Sequence, residues 1–110
     1  MSWVGVDFDG TLCRLRDGLP VSSMVNKIRY FRKKGVEVRI CTARVASKYP
    51  EEHREQHRLH IERWCTEHVG EILPVTSEKD YEMVLLYDDR AVAVETDTGA
   101  CKGWLGVVQA

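Results

Sequence analysis

Two short segments carry the acids best placed to do chemistry: Asp7-Phe8-Asp9-Gly10-Thr11 near the start of the chain and Asp88-Asp89-Arg90 much later. Each follows an apolar run, Trp3 to Phe8 in the first case and Met83 to Tyr87 in the second. The two-residue period of a strand sends Asp7 and Asp9 to one side and turns Phe8 back toward a core. If both runs belong to one sheet, Asp7, Asp9, Asp88 and Asp89 converge at its carboxyl edge, where open α/β sheets bind ligands. Carboxylates crowded in this way raise one another's pKa and lose hydration, so a shared divalent cation is expected among them. A set of oxygen donors without Cys or His suits a hard ion, Mg2+ above all where a phosphate completes the shell. Either acidic pair taken alone reads as well as a turn or cap. Two pairs at strand ends in one short chain favour the ligand site.

The elements that must position these acids follow from periodicity. The apolar runs Trp3 to Phe8, Val36 to Cys41 and Met83 to Tyr87 read as strands. Between the first two, Met24, Ile28 and Phe31 fall at helical spacing within Ser22 to Lys34, with Ser22 or Ser23 as the N-cap and Gly35 as the stop. Pro50 opens a helix over Glu51 to His68, with acids in its first turn, a stripe through Ile61, Trp64 and Cys65, and Gly70 behind it. Glu71 to Val75 reads as a third strand, Arg90 to Thr98 as a last helix ended by Gly99, and Cys101 to Val108 as a closing strand. Alternation of strands and helices predicts one α/β domain over residues 1 to 110: a doubly wound, Rossmann-like, mostly parallel sheet of about five strands covered on both faces. Glu37 and Arg39 alternate with Val36, Val38 and Ile40, so one side of that strand is expected to be partly wet.

Bulk properties narrow the class. The 110 residues carry 16 basic and 17 acidic side chains, a net charge of -1, which supplies no field for strong non-specific binding to nucleic acid. The 4 cysteines form no C-x-x-C pair and are expected to be reduced thiols of a cytoplasmic protein. No apolar stretch is long enough to span a bilayer, so no membrane partner is expected. His53, His57 and His60 share a helix face, but without a further strong ligand they read as a polar face and not as a zinc site.

Asp7-Phe8-Asp9-Gly10-Thr11-Leu12, Ile40-Cys41-Thr42-Ala43-Arg44, Lys79 and Asp88-Asp89 stand in the order and at the strand ends of four motifs. In this the chain resembles the haloacid dehalogenase-like (HAD) superfamily. It is most similar to short phage and bacterial phosphatases and to the phosphatase half of polynucleotide kinase-phosphatases. The resemblance spans residues 3 to 90. Asp80 follows Lys79 where many short relatives have proline. The likeness implies a HAD-like fold and a hydrolase that cleaves phosphate monoesters through an aspartyl-phosphate on Asp7. Asp9 would be general acid and then base, Thr42 would hydrogen-bond the phosphoryl, and Lys79 would balance charge. Mg2+ would be held by Asp7, the Asp9 carbonyl and the Asp88-Asp89 pair, with Asp89 preferred as direct ligand and Asp88 binding directly or through a water. Gly10, Thr11 and Arg44 are assigned to substrate. An acid at Asp9 favours ester hydrolysis over dehalogenation, because an alkoxide needs a proton to leave whereas a halide does not.

The segments after Leu12 and before Lys79 are too short for a cap domain, which predicts an open site. Such a site suits a phosphorylated nucleotide, a nucleic-acid end or another accessible phosphate. Gly10 to Pro20 is expected to form a flap carrying Arg14 and Arg16, and Arg44, Lys48 and Arg90 to form a basic rim. For Arg14, Arg16 and Lys48 a plain solvated surface is an equal reading. The oligomeric expectation is a monomer or a weak homodimer. Two rivals stand beside the phosphatase: a receiver-like phospho-acceptor, in which the acidic pair would come first in the chain, and a catalytically silent module that binds phosphate or metal.

Overall fold

The computed structural model describes residues 1–102. It is an α/β structure with strand β1 (Trp3–Val6), helix α1 (Ser22–Lys33), strand β2 (Glu37–Cys41), a 3-10 turn (Ala43–Val45), helix α2 (Glu51–His68), strand β3 (Val75–Thr76) and strand β4 (Met83–Tyr87). The four strands form one parallel sheet in the order β3-β2-β1-β4. From β1 the chain steps outward through β2 to β3, then returns to the other side of β1 for β4. The strand order therefore reverses between β1 and β4, and at such a point the loops leaving the two strands diverge and open a crevice.

Both helices contribute to a single core. Val4, Val6, Val38, Ile40 and Val75 face Met24, Val25 and Ile28 of α1 and Ile61, Trp64 and Cys65 of α2. Two successive crossovers of the same hand, stepping the same way, lay their helices on the same face. The expectation of a doubly wound sheet is corrected here, since the opposite face has no helix among the described residues. Trp3 is nonetheless 0% exposed there. The Arg39 guanidinium lies 4.3 Å from its ring centre, and its Nε1 donates to Asp80 Oδ1 at 2.7 Å. Arg39 is held in turn by Glu37, Nε to Oε2 at 2.6 Å. The wet side expected for β2 is thus a charged lid over an indole, in which the Arg39 guanidinium lies against the Trp3 ring and is held there by Glu37 and Asp80.

Several local expectations change. The residue before α1 is Val21, whose side chain caps nothing, so neither serine is the N-cap. Gly35 does end α1, in a left-handed conformation at φ 79°. The third strand shrinks to Val75–Thr76. Arg90 to Thr98 forms turns and no helix: Glu95 N donates to Ala100 O at 2.7 Å, Lys102 N to Ala93 O at 2.8 Å, and Val94 bridges Cys101. Alternating Val92 and Val94 followed by Thr96, Asp97, Thr98 and Gly99 favour extended chain and a turn over a helix. The expected closing strand from Cys101 to Val108 lies, beyond Lys102, outside the described residues. The sheet has four strands among those described, one fewer than expected.

Candidate active site

Strands β1 and β4 run side by side with Val6 opposite Tyr87, and Asp7 N donates to Tyr87 O at 2.9 Å. The two acidic segments therefore leave the sheet together. One carboxylate oxygen from each of Asp7, Asp88 and Asp89 lies within 4.8 Å of the other two. The fourth acid behaves differently. Arg44 donates Nε to Asp9 Oδ2 at 2.8 Å and Nη2 to Asp9 Oδ1 at 2.7 Å, so both oxygens of Asp9 are engaged in a bidentate pair.

Thr11 and Gly10 fit Asp89 into place. The Thr11 hydroxyl accepts from Asp89 N at 3.0 Å and faces Asp89 Oδ1 at 3.1 Å and Asp7 Oδ2 at 3.4 Å. Having one proton, it can donate to only one of these oxygens at a time. Gly10 sits at φ 83°, and a Cβ there would come within 2.6 Å of Asp89 Oδ2. Both the backbone and the neighbouring carboxylate thus require glycine at this position. Asp88 is oriented separately, its Oδ1 accepting from Arg90 N at 2.8 Å.

Burial and like charge act on Asp7 together. Partial desolvation, then the Asp88 charge, then the hydrogen bond and charge of Asp89 push its carboxyl up to about 6 from the ordinary 3.8. Three oxygen donors of like charge, one of them held well above its normal range, match the donor set of a hard divalent cation.

Strand β2 supplies the other side. Thr42 is 3% exposed at its end, and its Oγ1 accepts from Arg44 N at 3.2 Å, which leaves the hydroxyl proton available to a ligand. Asp7, Asp9, Thr42, Arg44, Lys79 and Asp88 line one cavity of about 360 Å³, with Ser77 and Arg90 at its margin. Lys79 faces this cavity without an ion pair within 4.0 Å among the described residues. A larger hollow of about 460 Å³ lies between α1 and β4, lined by Ser23, Tyr30, Phe31 and Tyr87 and without a carboxylate. Volume alone does not mark the chemistry.

The rim is thinner than expected. Arg14 pairs with Asp17, through Nε to Oδ1 at 2.9 Å and a second contact, and Arg16 lies 3.8 Å from the same carboxylate. Lys48 sits over the Tyr49 ring at 5.2 Å and does not line the acidic cavity. The loop from Gly10 to Pro20 is folded down onto the body: Arg14 N donates to Leu19 O at 2.8 Å and Trp64 Nε1 to Gly18 O at 2.9 Å. On α2 the rings of His53 and His57 stand 4.4 Å apart, and His57 Nδ1 lies 3.4 Å from Arg44 Nη1. That contact makes His57 a neighbour of the Arg44-Asp9 pair, a role its sequence position did not announce. All four cysteines are free. Among the described residues no helix is long and apolar enough to cross a membrane.

No protein-family model matches the chain, and neither a curated protein nor a solved structure matches it.

Proposed function

We propose that the chain is a HAD-like, capless phosphohydrolase that transfers a phosphoryl group from a monoester to Asp7 and then to water. The observation that carries this reading is the convergence of Asp7, Asp88 and Asp89 at the reversal point of the sheet, with Asp7 and Asp88 sharing one cavity with Thr42 and Lys79. Asp7, Asp88 and Asp89 would hold Mg2+, aided by the Asp9 carbonyl, and the ion when bound supplies charge neutralisation for an anionic substrate.

Asp7 attacks phosphorus, an Oδ–P bond forms, and the ester P–O bond breaks. Asp9 gives its proton to the departing oxygen. Water then attacks the phosphorus while its proton passes to Asp9, releasing phosphate and regenerating Asp7. Thr42 Oγ1 and Lys79 Nζ stabilise charge on the phosphoryl oxygens. Arg44 links binding to this cycle, because its fork of N–H donors holds both oxygens of Asp9. An arriving phosphate competes for the same fork of N–H donors.

The test is release of phosphate from p-nitrophenyl phosphate. Turnover is expected to require Mg2+ and to fall on the order of 10³-fold or more in Asp7→Asn. A folded protein that binds Mg2+ and releases no phosphate would instead favour the silent binding module.

A further inference from the structure

All three nitrogens of the Arg44 guanidinium are engaged. Nε and Nη2 form the fork on Asp9, and Nη1 lies 3.4 Å from His57 Nδ1. An arginine only donates, so Nδ1 is the acceptor in that contact and the proton of the neutral ring sits on Nε2. The half-buried ring is placed by α2. His53 and His57 are one helical turn apart on one face with their ring centres at 4.4 Å, and the Tyr49 ring lies 5.0 Å from that of His53. Burial, then His53 on the same helix, Arg44 on the 3-10 turn and His60 on α2 all lower the pKa of His57 from the ordinary 6.5, against Asp9, which raises it. The net direction is downward, so at neutral pH the ring is uncharged and its lone pair is available to Arg44.

We propose that His57 is a positioning residue: through Nδ1 it keeps the Arg44 guanidinium at the acidic cavity while the fork passes from Asp9 to the phosphate of the substrate. The inference rests on the phosphatase reading and deepens it. The fork that holds Asp9 is the group an arriving phosphate competes for, so Asp9 and phosphate exchange on the same two nitrogens, Nε and Nη2. During that exchange the contact with Asp9 is lost. Arg44 also lines a second hollow of about 350 Å³, next to Leu15, His60 and Trp64, so a long side chain released from Asp9 has another direction open to it. His57 takes the one nitrogen that is not part of the fork, and its hold therefore outlasts the exchange. Because α2 is a separate element from the loop that carries Asp9, movement of that loop leaves the imidazole where it is. The effect belongs to binding: a guanidinium kept in place loses less freedom when phosphate arrives.

The experiment compares wild type with His57→Phe, which keeps a ring and removes the acceptor, and with His57→Asn, whose amide oxygen stands as many bonds from the backbone as Nδ1. Each is measured for hydrolysis of p-nitrophenyl phosphate and for binding of inorganic phosphate in Mg2+. Expected in His57→Phe are a several-fold rise in KM and in the Kd of phosphate, with kcat held within about twofold. His57→Asn is expected to recover most of that loss. A KM and Kd unchanged in His57→Phe, an equal loss in both variants, or a loss confined to kcat would overturn the proposal. If wild type neither hydrolyses the ester nor binds phosphate, the phosphatase reading fails, and NMR of the imidazole nitrogens decides His57 alone. An unprotonated Nδ1 that shifts in Arg44→Ala retains it as the holder of Arg44; a protonated Nδ1, or one unmoved by Arg44→Ala, removes it.

Discussion

Arg44 grips Asp9 through Nε and Nη2 at 2.8 and 2.7 Å, joining the end of β2 to the loop after β1 across 35 positions of sequence. The pair is partly exposed, with side chains 30% and 38% accessible, so it contributes little to stability. Replacing Arg44 by Lys keeps the charge and loses the fork. Arg44→Lys is expected to lower kcat/KM for a phosphate monoester about 10- to 100-fold, equivalent to about 1.4 to 2.7 kcal/mol, chiefly through KM. Steady-state kinetics check this, and an unchanged KM would remove Arg44 from the substrate's path.

The raised carboxyl of Asp7 makes stability depend on pH in a definite direction. Its folded value, about 6, exceeds the ordinary 3.8, so the folded state favours the protonated form. That contribution is fully present below 3.8 and is lost as pH rises through about 6. In the presence of a chelator, Tm should fall across this window from this group. Added Mg2+ should restore it above pH 6 and do little below pH 4, where Asp7 carries its proton. Differential scanning calorimetry at several pH values reads both effects, and a magnesium shift of equal size at pH 4 and pH 8 would contradict them.

Removing the charge of Asp7 separates stability from activity. Asp7→Asn should raise Tm at pH 8 in chelator, because one of three crowded negative charges is gone, while turnover disappears. A drop in Tm at pH 8 would mean that the crowding is not the dominant strain in the cluster.

Gly10 and Gly18 form a matched pair. Both have positive φ, 83° and 72°, but only Gly10 would push a Cβ against Asp89; nothing lies within 4 Å at Gly18. Gly18→Ala should show the backbone cost alone, on the order of 1 kcal/mol. Gly10→Ala should lose about 1 to 3 kcal/mol in urea unfolding and weaken Mg2+ binding as well. Equal losses with unchanged magnesium affinity would show that Asp89 moves aside without consequence.

Asp80 holds two partners at once, the Trp3 indole at 2.7 Å and Arg39 Nη1 at 3.4 Å. Asp80→Ala strands a buried N–H and is expected to cost about 1 to 3 kcal/mol, measured by denaturant titration. A loss below about 0.5 kcal/mol would mean that Arg39 alone covers Trp3.

The bounds of α2 and β4 were legible in the chain because each carries an uninterrupted pattern between clear stops, Pro50 and Gly70 around the helix and polar residues around the strand. The acidic trio was legible for the same reason, as strand ends announce where side chains emerge. What escaped were contacts between positions far apart whose partners look ordinary in isolation. Asp80 reads as a departure from a motif until it is seen bonded to Trp3, and Thr11 reads as a substrate contact until its hydroxyl is seen between Asp7 and Asp89. The failed helix after Arg90 has a different cause: β-branched alternation and Asp97 at φ 68° favour a reversing chain.

The parallel pairing of residues 3 to 6 with residues 83 to 87 has a consequence for how the molecule is made. All the residues between Val6 and Met83 must be synthesised before the strand that closes this ladder is available, and such distant pairings form slowly. Until then β1 offers an unzipped border to any passing strand. The acidic trio would therefore assemble only after β4 has been made, and a chain cut short anywhere before Met83 would lack both the border's natural cover and two of the three acids.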